Sequence, residues 1–409
     1  MNPITSDIFG RLDWITKRLK NIYGRLTALE TGGGGGTNPN NPCYLEIVST
    51  STFPYSTLAD YNAYVEHDNP FTALVPVGTN IQRLYGGSNI NLVTIFQGNT
   101  DITSITDGCG VVTGFYDLAF SGCFNLTYVN FPSVTHIATN AFRQCSNLSV
   151  ALFPKATTVG DIAFGSGNLL TDVSFPLVTT LGVSVFDGFP ELKTVSLPKL
   201  TSVPASTFRN CHNLTTITAP KVTKIGNLAF NYCNSLTTLS FPVLTTIQAE
   251  AFLGCNGITT FTAPLLTSIG DNGFDSCTSL TTVNFPSVTS VGTSAFHDCY
   301  SLTTINTPLV IFILAEAFGG CSTLTSVSFP LLTSIGDQAF KNCYALTTIN
   351  LPSVTNLGGT TGNDLVFENI TGQTITLTVP VAQETIDAGD PDGDIVYLDA
   401  NNTVTINYV

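Results

Sequence analysis

Charge is what this sequence has least of. Asp, Glu, Lys and Arg make up 10% of its 409 residues, against about 25% in an ordinary soluble chain. The hydrophobic share is 43%, which excludes a disordered composition. There is one Met and one Trp. No apolar run approaches the ~20 residues of a membrane-spanning helix, so membrane insertion is not expected. The opening "MNPITSDIFGRLDW" lacks the basic and apolar regions of a secretory leader, so export by an ordinary N-terminal signal is not expected either. No Gly-rich loop opens a helix to cradle phosphate, because Gly32–Gly36 follow a helical pattern instead. His67, His136, His212 and His297 fall in unrelated places, and no recurrent Ser or Cys completes a triad with them. Neither an enzyme nor a cofactor is therefore expected.

The few charges are unevenly placed. Residues 1–30 carry Arg11, Lys17, Arg18, Lys20 and Arg25 against Asp7, Asp13 and Glu30, a local +2. With a net charge of −14 overall, the remainder is more acidic than the whole. An acidic body repels phosphate backbones, so nucleic acid is not an expected partner.

What the N-terminal segment does have is a heptad. Ile8, Leu12, Ile15, Leu19, Ile22, Leu26 and Leu29 are spaced alternately by four and three, the seam of a coiled coil. Leu at a and Ile at d favours three or four strands over two. Arg25 at g is placed to pair with Glu30 at e of a neighbouring chain. "RLTALE" resembles the signature of trimeric coiled coils, so a homotrimer is expected. The competing reading, an amphipathic helix packed on its own domain, calls for a wider apolar stripe. Five glycines follow, a composition that behaves as a flexible linker.

Beyond residue 106 the chain repeats. Phe recurs every 22 residues from Phe120 to Phe340, and Pro every 22 from Pro132 to Pro352. Eleven units in unbroken register define a solenoid. In one unit, Leu280, Val283 and Phe285 alternate with Thr282 and Asn284, a short strand with one buried face. Pro286 ends it, Val288 and Val291 form a second inward pair, and Gly292 turns the chain into the next coil. A single coil cannot bury its apolar face, but stacked neighbours bury it together.

Units such as "LTSIGDNGFDSCTSLTTVNFPSV" resemble the BspA-like leucine-rich repeats over residues 107–358. The resemblance implies a leucine-rich-repeat fold and adhesion rather than catalysis. The "TITLTVP", "PDGDIVYL" and "ANNTVT" segments near the C-terminus resemble endings of phage-encoded repeat proteins.

Three features invite chemistry. Nine cysteines, Cys123 to Cys343, share one repeat column. The same column holds Gly167 and Phe189, so it reads as buried packing of reduced thiols rather than a metal or disulfide ladder. Asp390, Asp392 and Asp394 alternate as in a calcium loop. The sixth position is Ile395 and the twelfth Asn401, however, which suits an Asx-rich turn better. Thr216, Thr238, Thr260, Thr282, Asn284, Thr304 and Asn306 align into a candidate ligand face, a hydroxyl-amide surface suited to polysaccharide or ice. β-propensity and solubility account for the same pattern.

The expected fold is a mainly β solenoid of eleven coils with an N-terminal coiled-coil helix and small end caps. Its parts are an oligomerisation helix at 1–31, a linker at 32–42, a small α/β cap at 43–106, the solenoid at 107–358 and a C-terminal β cap at 359–409. The combination reads as a bacteriophage virion protein, a fibre or spike joined to other virion proteins and binding a host-surface glycan or protein. A BspA-type bacterial surface adhesin and a glycan- or ice-binding secreted solenoid are the alternatives. The heptad is tested by solution mass. The full chain should be trimeric and a chain starting at Thr37 monomeric, whereas a monomeric full chain would remove the self-assembled stalk.

Overall fold

The computed structural model describes residues 44–50, 71–78, 81–86, 90–92, 96–108, 110–355, 365–380, 398 and 400–409. All belong to one compact unit, Cys43–Val409. The heptad at 1–31, the linker, and the aspartates Asp390, Asp392 and Asp394 lie outside the described residues.

Each coil is built from two strands and a run of turns. In the coil around Phe274 the first strand is Thr282–Asn284 and the second Ser290–Val291, with a turn at Pro286–Ser287 between them. Leu280, Phe285, Val288 and Val291 are completely buried and Val283 nearly so. The same strands of successive coils pair in parallel without slippage: Thr238 with Thr260, Thr260 with Thr282, Thr282 with Thr304. Second strands form an unbroken seven-stranded ladder from Ser202–Val203 to Ser334–Ile335. Gly292 serves close approach rather than a turn. A Cβ there would lie 2.7 Å from the backbone nitrogen of Asp271, one coil back.

The turn run, where Phe274 sits, is a third ladder that uses no strand. In most coils the backbone N–H groups two before, at, and two after the phenylalanine donate to carbonyls of the following coil, whereas around Phe164 only Ile162 does so. Asn272 donates to Thr293, Phe274 to Ala295 and Ser276 to His297, all at 2.7–2.8 Å. Aiming alternate N–H groups along the axis needs alternating backbone hands. Residues such as Asn272 and Ser276 accordingly take left-handed φ of 53° and 58°. Even Leu228 and Ile162 adopt this conformation, at 58° and 54°. It costs an L-residue with a side chain roughly 1–2 kcal/mol, offset here by buried axial hydrogen bonds.

At the centre runs a stack of phenylalanine rings. Thirteen of them, from Phe96 to Phe367, lie in consecutive contact with centroids 5.0–5.8 Å apart and planes within 15° of parallel. The spacing follows from the pitch of parallel strands, about 4.8 Å, which brings successive rings into offset stacking.

The stack runs past both ends of the 22-residue register. Phe96 lies 24 residues before Phe120 and stacks on it at 5.4 Å. Phe367 lies 27 after Phe340 and stacks at 5.8 Å. Thr374–Val379 then pairs in parallel with Thr348–Asn350, and Thr403–Tyr408 with Thr374–Val379. The C-terminal segment thus continues the solenoid sheet. At the N-terminal end, β1 (Tyr44–Ser49), β2 (Phe71–Gly78), β3 (Ile81–Gly86), β4 (Ile90–Leu92), β5 (Ile102–Asp107) and β6 (Val112–Phe115) divide between two sheets. β4 pairs in parallel with β6 and begins the second-strand ladder. β2, β3 and β1 add antiparallel strands beside β5 in the first-strand sheet. Of the segment at 43–106, the described strands extend the sheet edge of the first coil. The reason is hydrogen bonding: an open strand edge is satisfied by another strand. The buried Asp107 carboxylate fixes the junction by accepting from the N–H groups of Gly110, Val111 and Val112 at 2.8–3.0 Å.

Phe252 lies between Phe230 and Phe274 with 5.2 Å to each. Phe252→Ala should lose about 3–5 kcal/mol in chemical unfolding. Phe252→Leu should lose under about 1.5. A Phe252→Leu variant as stable as the unaltered chain would deny the ring stack a role of its own.

Candidate ligand-binding faces

The three ladders define three faces: the first-strand face, the second-strand face and the turn face. Alternation along each first strand sends the middle residue inward and its neighbours outward. Leu239, Phe261 and Val283 are buried, while Thr238, Thr260, Thr282 and Thr304 form an exposed row one residue before this inward position. Ser240, Thr262, Asn284 and Asn306 form a second exposed row beside it. These four strands make one hydrogen-bonded sheet. Six of the seven expected face residues therefore come together. Thr216 is exposed too, but sits in the neighbouring three-stranded ladder with Thr194. The amide of Asn306 donates to Asn284 Oδ1 at 2.7 Å, which fixes both side chains in one orientation.

The threonines just outside these rows serve the scaffold. The hydroxyls of Thr259, Thr281 and Thr303 donate to the carbonyls of the preceding coil's Thr237, Thr259 and Thr281 at 3.0–3.3 Å. A matching ladder follows the proline corner: Thr223 on Thr201, Thr245 on Thr223, Thr267 on Thr245, Thr289 on Thr267. Where this column holds Ile311, the following Thr333 still donates to the isoleucine carbonyl. The Thr-rich composition thus splits into hydroxyls that clasp the backbone and hydroxyls that face outward. Among the described residues, the outward Thr238, Thr260, Thr282 and Thr304 hydroxyls make no hydrogen bond within the protein.

The cysteine column holds a second clasp. Each of its nine thiols is buried and free. Each donates to the carbonyl of the stacked phenylalanine of the coil before, as Cys255 does to Phe230 at 2.9 Å and Cys277 to Phe252 at 3.3 Å. The column is therefore more than small apolar filling. Burial pushes the thiols of Cys123, Cys211 and Cys255 up to about 12, so they remain protonated donors. Gly167 and Phe189 interrupt the column without breaking the ring stack beside it.

The turn face carries the charge pairs. Arg209 grips Asp187 with two nitrogens at 3.0 and 2.6 Å, and Lys341 meets Glu368 at 3.1 Å. His297 lies 3.6 Å from both Asp275 and Asp298 and 4.0 Å from Glu316. The hydrogen bond to Asp275, with the neighbouring carboxylates, holds the imidazole above its usual range against the opposing effect of burial. Among the described residues no group of three His, Cys, Asp or Glu is placed to hold a metal.

Parallel short strands, a one-column ring stack and exposed side-chain rows define a leucine-rich-repeat solenoid, a class whose long faces serve as binding scaffolds. The model of the BspA type leucine rich repeat region matches residues 93–187, 157–267 and 245–372, and the chain belongs to this family. The solved leucine-rich repeat protein of Bacteroides ovatus is 22% identical, with 89% of this chain and 98% of that chain covered and a TM-score of 0.56. A leucine rich cell surface protein of Faecalibacterium prausnitzii is 25% identical over 82% of this chain and 86% of that chain, with a TM-score of 0.40. A leucine-rich repeat protein of Eubacterium ventriosum is 23% identical over 66% and 83%, with a TM-score of 0.42. No curated protein sequence matches the chain.

The thiol clasp is checked by alkylation. At about pH 8 a thiol titrating near 12 is roughly one part in ten thousand thiolate. The nine column cysteines should stay unmodified in the folded chain and react fully once it is unfolded, as read by peptide mass. Rapid native labelling of Cys255 or Cys277 would contradict the buried ladder.

Proposed function

We propose that the chain is a BspA-type surface adhesion protein, a binding rod without catalytic chemistry that meets its ligand on the first-strand face. One observation carries this reading: two parallel rows of outward Thr, Ser and Asn side chains, held in register by the sheet at Thr238–Asn306. The rows offer donors and acceptors at a fixed repeat with no hydrophobic step between them, which suits a surface glycan. Many weak contacts along one rod add up to useful avidity. Family membership supports the adhesin reading, whose setting is the bacterial cell surface. The virion setting, with a fibre or spike joined to other virion proteins, rests on the heptad and linker of residues 1–42 and on the C-terminal resemblance alone.

The test is adhesion of the full chain to cells and to immobilised surface glycans. Thr260→Arg with Thr282→Arg should weaken binding at least about tenfold, the loss of one or two bidentate polar contacts, and leave the melting temperature unchanged. Undiminished binding by a folded variant would move the ligand off this face.

A further inference from the structure

The solenoid sorts its charges by face. Between residues 110 and 355 there are eleven carboxylates, and ten lie in the turn runs around the stacked phenylalanines; the other is Asp172. From each proline through the second strand, the eleven repeats from Pro132 to Thr355 contain no Asp or Glu at all. In a chain of net −14, that is a continuous acid-free strip along the corner between the first- and second-strand faces.

Lysines occupy one half of the strip. Lys155, Lys199 and Lys221 stand directly after their prolines, and Lys224 stands on the adjoining second strand, paired in register with Ser202. All four are exposed, and none has a carboxylate partner among the described residues. Apolar side chains occupy the other half. Val243, Leu265, Leu309 and Leu331 continue the lysine column at 36–50% exposure, with Leu177 among the lysines and Ser287 among the apolar residues. Phe312 and Leu314 are exposed nearby, Phe312 in the column of Lys224 and otherwise Ser, Thr and His136, and Leu314 in a column mostly of Gly. Phe312 lies in register between Ser290 and Ser334. Solubility does not call for the apolar half.

We propose that this corner docks the rod onto an anionic lipid surface. The column runs through eight coil steps of about 4.8 Å from Lys155 to Leu331. Exposed lysines and exposed apolar side chains sharing one acid-free edge over so many coils match the mixed charged and apolar character of a lipid surface better than they match a single sugar. Lysines reach headgroup phosphates or carboxylates, and Leu, Val and Phe enter the boundary beneath them. A soluble polyanion would use the lysines and leave the apolar half unused. This edge is separate from the Thr-Asn rows, so the two surfaces stand or fall independently.

The test is flotation of the full chain with vesicles of phosphatidylcholine alone and with vesicles in which a third of the lipid is phosphatidylglycerol. The chain should float with the anionic vesicles only, despite its own negative charge, and release as salt rises. Each lysine at an anionic leaflet is worth roughly fivefold in affinity. The triple variant Lys199→Glu, Lys221→Glu and Lys224→Glu should therefore lose more than about tenfold. Leu309→Ser with Phe312→Ser and Leu331→Ser should lose a similar factor, while Lys193→Glu, outside the strip, should change nothing. Circular dichroism confirms the fold of each variant. Failure of the unaltered chain to float at low salt overturns the proposal, as does full binding by either folded triple variant. Heparin binding that needs the lysines but not the apolar residues would assign the strip to a soluble polyanion and overturn it as well.

Discussion

Everything in this molecule depends on the distance between one coil and the next. Parallel backbone pairing sets that distance at about 4.8 Å, and each side-chain feature is something that works at that repeat. Phenylalanine rings stack at it, and threonine hydroxyls and cysteine thiols reach back across it to carbonyls. Outward threonines and asparagines repeat at it. No coil holds its own core, since each inward Leu, Val and Phe is covered by its counterparts above and below. The ring stack itself continues through the coils where Gly167 and Phe189 replace the cysteine.

The turn face shows how far the backbone bends to keep that repeat. With no strand there, the chain alternates hands so that every second N–H points along the axis. Where the left-handed position is Asn, Ser or Asp, as at Asn272 and Ser276, the residue type suits the conformation. At Leu228 and Ile162 it does not, and the hydrogen bonds of the next coil hold the conformation in place. Local strain is carried by a long-range ladder.

Much of this was legible in the sequence, for a physical reason. Identical packing at every coil selects identical residues at every twenty-second position, so Phe120 to Phe340 declared the ring column and Thr282 and Asn284 declared an outward face. What escaped was whatever keeps its position in space while losing it in number. Phe96 and Phe367 join the stack across longer coils, so counting in steps of 22 passed over them. The left-handed positions escaped because Leu, Ile, Glu and Gln carry no turn signature. The thiol clasp escaped because cysteine reads as a small apolar residue until its sulfur is seen against a carbonyl. The charge sorting needed no coordinates to count, only the coil's geometry to say that the empty columns share one corner.

The hydroxyl and thiol ladders all run one way. Thr281 reaches back to Thr259, and Cys277 reaches back to Phe252. A coil therefore arrives with its donors, while the coil already formed offers open acceptors. Synthesis delivers the chain in the same order. Each newly emerged length can therefore latch its hydroxyl and thiol onto finished structure behind it, while its turn-run N–H groups, as at Phe274, wait for the carbonyls of the coil to come.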